Sequence, residues 1–363
     1  MDKKKLAYIS NSVVPSFQAN SFHVINMVFE LNKYFDVTLF SYNGRRKKLK
    51  EFYGLDILFK IKFFKLSPAP VFNFFTMMLF PLINFYKFDF FLGRNVKILC
   101  FLFLFKKKVI LELHQPIYRH TFLEKLLLFR VIKKGITLVV ISKKLKQIIQ
   151  QEVNLSKSNI NVFPDASRSF YQKKSIKQDC IGYFGSLLPG RGLEIIFLLA
   201  KELPQVKFNI FGKSNYYFDS FFKKHKTNNI IYNKFISHTE IGKLMSEQFI
   251  LVAPYQKNTS IPGGAITSEW MSPLKIFEYM SSRRPIISSD LPVLKEVLIH
   301  RKNCLLVKPG NVTDWVRAIK LLKSNSKLMN YIIGNAYKDF KKKFSWEVRV
   351  KNYVQLLRRM DKP

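Results

Sequence analysis

The sequence predicts an α/β protein built from two doubly wound, parallel-sheet domains. Three observations carry that reading. At 363 residues the chain is long for one core and comfortable for two. Short apolar runs alternate with amphipathic stretches of helical period, the pattern of βαβ units. A polar, aperiodic segment, residues 164–178 (PDASRSFYQKKSIKQ), separates two halves that each show this alternation.

In the first half, residues 6–10 (LAYIS) read as a strand and 11–20 as a loop. A helix follows over 21–34, with Val24, Val28 and Leu31 on one face. Residues 37–41, 109–113 and 138–142 read as further strands. Each ends at polar residues, where a parallel sheet presents its ligand-facing edge. In the second half, strand 181–184 leads through loop 185–192 into helix 193–203. Strands follow at 206–211, 250–253 and 285–288. A last basic amphipathic helix opens at Phe344-Ser345-Trp346-Glu347, with Ser345 as cap and Val350, Tyr353 and Leu357 along one side. The expected division is a first domain over 1–165, a linker over 166–178, a second domain over 179–343 and the final helix over 344–363.

Composition narrows the function classes. Hydrophobic residues make up 48% of the chain, enough to exclude global disorder. The 3 cysteines lie far apart without metal-ligand spacing, which points to reduced thiols. No His/Asp/Cys cluster suggests a metal, so none is expected. The net charge of +37 is spread over both halves and implies attraction to an anionic surface. A Lys-, Phe-, Ile- and Asn-rich composition also follows from biased codon usage, so charge alone does not choose the partner. The 36 phenylalanines are not needed for nucleic-acid binding, and no zinc, helix-turn-helix or interleaved aromatic-basic motif is present. No nucleic-acid partner is expected.

The N-terminus, MDKKKLAYIS, has too short an apolar run for a signal peptide. Residues 69–86 are almost wholly apolar, but Asn73, Pro81 and Asn84 interrupt them. A spanning helix needs roughly 20 apolar residues. A buried helix, or an interfacial patch beside the basic runs 45–50 and 106–108, fits better. The expected location is cytoplasmic, with peripheral contact at the inner face of a membrane.

Two anion-binding patterns stand out. Residues 272–280 (SPLKIFEYM) read as a helix start, with Ser272 as N-cap and Pro273 at the first helical position. Lys275 then sits in the first turn, an unfavourable place for a cation unless an anion such as a diphosphate binds there. Glu278, one turn on, is placed to accept hydrogen bonds from sugar hydroxyls. The bland alternative is a surface ion pair with Lys275. The second pattern is Gly185-Ser186-Leu187-Leu188-Pro189-Gly190-Arg191-Gly192, between a strand and a helix. Its glycines admit a phosphate to the backbone and Arg191 can pair with it, although a plain tight turn has the same look. It is neither the dinucleotide fingerprint nor a Walker loop.

The order Tyr183-x-Gly185, Arg191-Gly192, Ala253-Pro254-Tyr255, Ser272-Pro273-x-Lys275-x-x-Glu278-Tyr279-Met280 and Arg284 to Pro292 (RPIISSDLP) resembles the donor-binding domain of family-4 retaining glycosyltransferases. The resemblance is strong over 181–322 and weaker but collinear in the first half. It implies the GT-B fold, two Rossmann-like domains facing across a cleft, and a nucleotide-diphosphate sugar as donor substrate with no further cofactor. Arg191 and Lys275 would neutralise the diphosphate. Ser272 and nearby backbone N–H groups, with Leu274 among the donor-site residues, would cap it. Glu278 would hold the ribose, and Gly185 would give the phosphates room. His114, after the strand ending Glu112-Leu113, would stand where the family's cleft histidine does. The acceptor would be a glycan or a lipid-linked sugar, as in cell-surface polysaccharide or glycolipid synthesis.

The chain departs from the family pattern at three places. Trp270 stands where the family has a glutamate eight residues before Glu278, with Glu269 one residue off register. Ser186 replaces a basic residue, and the family's N-terminal Gly-Gly loop is absent. A non-catalytic sugar-nucleotide-binding subunit and a basic nucleic-acid-binding protein are the alternatives.

Overall fold

The computed structural model describes residues 3–44, 49–64, 79, 85–105, 107–155, 159–234, 236, 238–259 and 266–361. Most of the apolar stretch 69–86, residues 45–48 of the first basic run and residue 106 of the second lie outside the described residues. The chain divides into two units, Met1–Pro164 with Trp346–Pro363, and Asp165–Ser345.

In the first unit the order is β1 (Lys5–Val14), α1 (Ala19–Leu31), β2 (Asp36–Asn43), α2 (Leu49–Tyr53), β3 (Lys60–Phe64), β4 (Phe90–Gly93), α3 (Val96–Leu104), β5 (Val109–Leu113), α4 (Phe122–Lys133), β6 (Thr137–Val140), α5 (Lys143–Val153) and β7 (Ile160–Val162). Seven strands form one sheet in the order β3-β2-β1-β4-β5-β6-β7. Every pairing in it is parallel. Strands β4, β5 and β6 are buried along their whole length. Such strands read as apolar runs because helices cover both faces of the sheet.

The second unit runs β8 (Lys177–Phe184), α6 (Leu193–Glu202), β9 (Lys207–Phe211), α7 (Tyr216–His225), β10 (Ile230–Asn233), α8 (His238–Glu247), β11 (Gln248–Ala253), α9 (Leu274–Ser281), β12 (Ile286–Ser289), β13 (Leu305–Val307), α10 (Val312–Ser324) and α11 (Ser326–Asp339). Its six strands pair in the order β10-β9-β8-β11-β12-β13, again all parallel. Alternate residues of each strand feed two cores. Ile181, Tyr183, Phe208, Ile210, Ile250, Val252 and Ile287 pack with Phe197 and Trp315. Phe184, Phe211, Leu251, Ala253 and Ile286 pack with Phe277, Tyr279 and Met280. The period of two places these sets on opposite faces of the sheet.

A π-helical turn, Phe340–Phe344, ends the second unit, and α12 (Trp346–Asp361) belongs to the first unit, against α1. Val350, Tyr353 and Leu357 of α12 are buried, as their spacing predicts. Three expectations change. Strand β1 runs to Val14 through the expected loop, with an irregularity in its pairing to β2 between Ile9 and Val13. The polar stretch 166–178 belongs to the second unit, and its last two residues already open β8. Strands such as Phe90–Gly93 and Leu305–Val307 escape sequence reading because a run of 3–4 residues carries no period.

Candidate active site

In the second unit the strand order reverses between β8 and β11, and open parallel sheets bind ligands beyond the carboxyl ends of strands at such a point. The loop after β8 carries Gly185 and Arg191, the end of β11 leads into Pro254-Tyr255, and the start of α9 carries Lys275. The three segments are held in place. Tyr279, one turn after Lys275, accepts a hydrogen bond from the Phe184 N–H at 2.9 Å, and its hydroxyl also lies 3.3 Å from the Val252 carbonyl oxygen. Ile276, Phe277 and Met280 bury the same helix in the core. The Tyr183 hydroxyl donates to the Ser186 carbonyl at 2.7 Å and shapes the glycine loop. Gln256 N–H donates to the Gly190 carbonyl at 2.9 Å and ties that loop to the end of β11.

Lys275 and Arg191 converge. Lys275 Nζ stands 3.8 Å from the centre of the Tyr183 ring and 5.0 Å from that of Tyr255, and the Arg191 guanidinium stands 5.6 Å from the same Tyr255 ring. The Lys275 ammonium is buried and has no hydrogen-bond partner among the described residues. It is not ion-paired with Glu278, so the surface-pair alternative does not describe this helix. Gly185 adopts φ +150°, and a Cβ there would lie 2.8 Å from Lys275 Nζ. Its lack of a side chain keeps the space before the ammonium open.

The electrostatics follow from this burial. Desolvation, then the nearby Arg191 charge, push the Lys275 pKa well below its ordinary value, while Glu278 pulls the other way. Burial pushes the Glu278 carboxyl up to about 7 against the attraction of Lys275. Burial likewise raises Tyr255 to about 12, opposed by Arg191. Two cations are held near each other, one of them without a hydrogen-bond partner among the described residues, and such burial of charge is unfavourable.

Other predicted positions need correction. Ser272 does not cap the helix. The residue preceding α9 is Pro273, at φ −85° and ψ 82°, and no side chain among the described residues caps this end. The Ser272 hydroxyl instead accepts the Asp165 N–H at 2.8 Å. Leu274, the first helical residue, has its N–H turned back to the Ser272 carbonyl at 3.1 Å, so this amide is already engaged. Lys275 keeps its first-turn position. Trp270 is buried and Glu269 is exposed. An indole therefore fills the position where the resemblance implies a glutamate, and the neighbouring acid is exposed.

His114, the remaining predicted residue, lies in the first unit just beyond β5, with a side chain 19% exposed. Its Nε2 pairs with Glu112 Oε1, and His23 Nε2 of α1 lies 3.0 Å from the same oxygen. Arg349 Nη2 of α12 lies 2.9 Å from Glu112 Oε2, which also accepts the Tyr353 hydroxyl. Burial alone would raise the Glu112 carboxyl. Arg349, His23 and His114 more than reverse this and hold it well below the usual carboxylate range. Sequence spacing revealed no such cluster, because its members come from residues 23, 112, 114, 349 and 353. The available signal was the acid inside the apolar strand VILEL, since a buried carboxylate requires partners.

Residues 167–339, nearly all of the second unit, match the family model for glycosyl transferases group 1. An uncharacterized glycosyltransferase of Methanocaldococcus jannaschii is 27% identical over 165 residues, 46% of this chain and 44% of that protein. The match thus spans less than half of that relative's length. Among solved structures, sucrose-phosphate synthase from Thermosynechococcus elongatus superposes with a TM-score of 0.76 at 12% identity, over 99% of both chains. The Anabaena protein HepE, in complex with UDP and glucose, superposes with a TM-score of 0.74 at 14% identity, over 98% of this chain and 100% of that one. At such identities the likeness concerns the fold, and the fold is GT-B.

Proposed function

We propose that the protein is a retaining glycosyltransferase that moves a hexose-type sugar from a nucleotide-diphosphate sugar to a hydroxyl of a glycan or lipid-linked acceptor. The observation that carries this reading is the buried Lys275 ammonium, without a hydrogen-bond partner among the described residues, facing the side-chain-free Gly185 beside Arg191. The group 1 match of this unit and the UDP and glucose in the Anabaena neighbour support a sugar-nucleotide donor, with UDP the first candidate.

In this reading the bond between the anomeric carbon and the diphosphate breaks as the acceptor oxygen bonds to that carbon from the same face. The acceptor proton passes to the departing phosphate oxygen. The diphosphate gains charge as it leaves, and Arg191 and Lys275 meet that charge in a preorganised, water-poor setting. No metal ion is assigned to this step, because the two side chains supply the positive charge. Glu278 accepts hydrogen bonds from the ribose. Trp270, filling the family's glutamate position, favours a second reading, a sugar-nucleotide-binding subunit without catalysis.

A thermal-shift panel of UDP, GDP, ADP and CMP with their sugars tests the donor site. The matching nucleotide stabilises the fold by mass action, about 2.7 kcal/mol at a hundredfold excess over Kd. No shift with any of them would reject the reading. Nucleotide release from the matching sugar nucleotide then separates the catalytic reading from the binding-only one.

The Glu278 carboxyl gives a pH signature. Its folded pKa, about 7, lies above the ordinary 4.5. Its contribution to stability is therefore full below about pH 4.5 and is lost as pH rises through about 7. Ribose binding uses the ionised form, so nucleotide affinity moves the opposite way. It should fall roughly tenfold per pH unit below 7 in the wild type, relative to Glu278→Gln. At pH 8 that variant should bind about 10–100-fold more weakly. Calorimetric titration of both proteins from pH 5.5 to 8 decides it, and parallel profiles would remove Glu278 from the ribose site.

The chain's charge of +37 also supports peripheral attachment to an anionic membrane surface at the cytoplasmic face, and a role in cell-surface polysaccharide or glycolipid synthesis. Among the described residues no helix is long and apolar enough to cross a membrane. The protein should sediment with anionic liposomes at low salt and release at high salt. Absence of binding at both would count against attachment.

A further inference from the structure

Helix α4 of the first unit shows large apolar side chains to solvent at its start. Phe122, Leu123 and Leu126 are 77%, 53% and 53% exposed. Leu128, Val131 and Ile132, on the other side of the helix, are buried, and α4 packs against α3. The exposed three are not needed to begin the helix. A capping box does that, with the Glu124 N–H donating to Thr121 Oγ1 at 3.4 Å and the Thr121 N–H to Glu124 Oε2 at 3.1 Å. Apolar side chains exposed singly are ordinary, whereas a group of them marks a contact surface.

At 3.6 residues per turn, Phe122, Leu126, Arg130 and Lys133 lie along one stripe of α4. The stripe is apolar at its start and basic at its end. Arg130, Lys133 and the following Lys134 are exposed, as is Arg119 just before the helix. Glu124, the acid of this helix, is taken up by Thr121 and, at 3.5 Å, by His120.

This chemistry selects the occupant. A second copy of the chain, seated face to face, would bring like charges together. An anionic lipid surface offers phosphates to the basic end and acyl chains to the apolar start.

We propose that α4 is the membrane contact of this protein. Phe122, Leu123 and Leu126 enter the boundary between headgroups and acyl chains, and Arg119, Arg130, Lys133 and Lys134 pair with lipid phosphates. The inference rests on the peripheral attachment read from the charge of the whole chain, and it names the face that makes the attachment. Because α4 follows β5, its first turn lies towards the carboxyl edge of the first sheet, the edge that open parallel sheets turn to their ligands. A lipid-linked acceptor in the same surface would meet that edge.

The test uses the full chain and vesicles of phosphatidylcholine with about 30% phosphatidylserine at low salt. The wild type should sediment with them and not with phosphatidylcholine alone. Phe122→Ser with Leu126→Ser should lower the partition about 10–100-fold, because partition follows the apolar area buried. Arg130→Glu with Lys133→Glu should weaken binding about tenfold more than Lys341→Glu with Lys342→Glu, the same charge change on exposed lysines of the second unit. Each of these side chains is exposed, so the variants keep the fold. Trp270, Trp315 and Trp346 are buried, so Leu126→Trp adds a reporter that starts in water. Its emission should shift to the blue on binding and be quenched by brominated acyl chains.

Vesicle binding by Phe122→Ser with Leu126→Ser equal to that of the wild type would overturn the assignment of this face while leaving attachment in place. So would an unshifted Leu126→Trp emission on vesicles that the protein does bind. No sedimentation of the wild type at low salt would instead remove the attachment reading, and the inference with it. A dimer in sedimentation velocity without lipid, dissolved by the same double serine variant, would give the face to a second copy and overturn the lipid assignment.

Discussion

Lys275→Met should raise the melting temperature of the ligand-free protein and abolish its stabilisation by nucleotide diphosphates. The two effects have one source. The ammonium is buried without a hydrogen-bond partner among the described residues, and burial and Arg191 both oppose its charge. An unsatisfied buried polar group costs about 1–3 kcal/mol. The Tyr183 and Tyr255 rings already return part of this through their faces, so the net gain expected from methionine is about 1 kcal/mol. For domains of this size that corresponds to a rise of roughly 2–4 °C.

Because the folded pKa lies below the ordinary lysine value, the unfolded chain holds this proton more tightly. The charged form therefore weakens the fold increasingly as pH falls from 10.5 towards the lowered value, and the gain from Lys275→Met should be larger at neutral pH than at pH 10.5. A diphosphate removes the same penalty by pairing with the ammonium, and a charge-assisted pair is stronger than a neutral hydrogen bond. Methionine keeps the length and the aromatic contacts but cannot make that pair. Scanning calorimetry with and without UDP checks both halves. A variant less stable than the wild type that still responds to UDP would show that Lys275 serves the fold and not the ligand. Stability given up at a site for a charge that the fold alone does not want is a usual mark of function.

Arg349→Ala should be the most destabilising single change considered for this chain, by about 3–5 kcal/mol. Arg349 is 2% exposed and pairs with a carboxylate that is itself buried. Deleting the guanidinium leaves Glu112 inside with only its histidine and tyrosine partners, and leaves the Phe163 and Pro164 carbonyls without their donor. The melting temperature should fall by roughly 6–20 °C. Glu112 titrates below its usual range, so its contribution is present above the ordinary 4.5 and is lost as pH falls through the depressed value. The acid-side loss of stability should therefore begin at higher pH in Arg349→Ala. Adding Glu112→Gln removes the stranded charge and should return a large part of the deficit, a coupling that separate losses of packing would not produce. Urea titration of the four proteins in this cycle gives the answer. A single variant as stable as the wild type would mean that the pair contributes nothing.

The second unit is the more legible half. The loop 185–192, Tyr255 and the segment 272–280 are short, local patterns, and each encodes its geometry within a few residues. Gly185 must be side-chain-free where Lys275 approaches, and Lys275 falls in the first turn of α9 because Pro273 ends the preceding segment. Strands such as VILEL and FILVA are apolar because both sheet faces are covered, which is enough to read a parallel α/β architecture. The helix start is not legible locally, because Ser-Pro is compatible with two registers. Only the Asp165 amide, more than a hundred residues away, decides that the Ser272 hydroxyl turns from the helix to another segment.

What the sequence determined by itself was the alternation of elements, the two sheets and the local pattern of a glycine loop and a first-turn lysine, since propensity, period and turn chemistry act over a few residues. What only the tertiary structure decided was which distant groups share a charge. Glu112 carries no local sign that His23, Arg349 and Tyr353 will surround it, and Lys275 none that Tyr183 and Tyr255 will flank it. Those outcomes depend on desolvation, and desolvation is a property of the packed chain rather than of any segment of it.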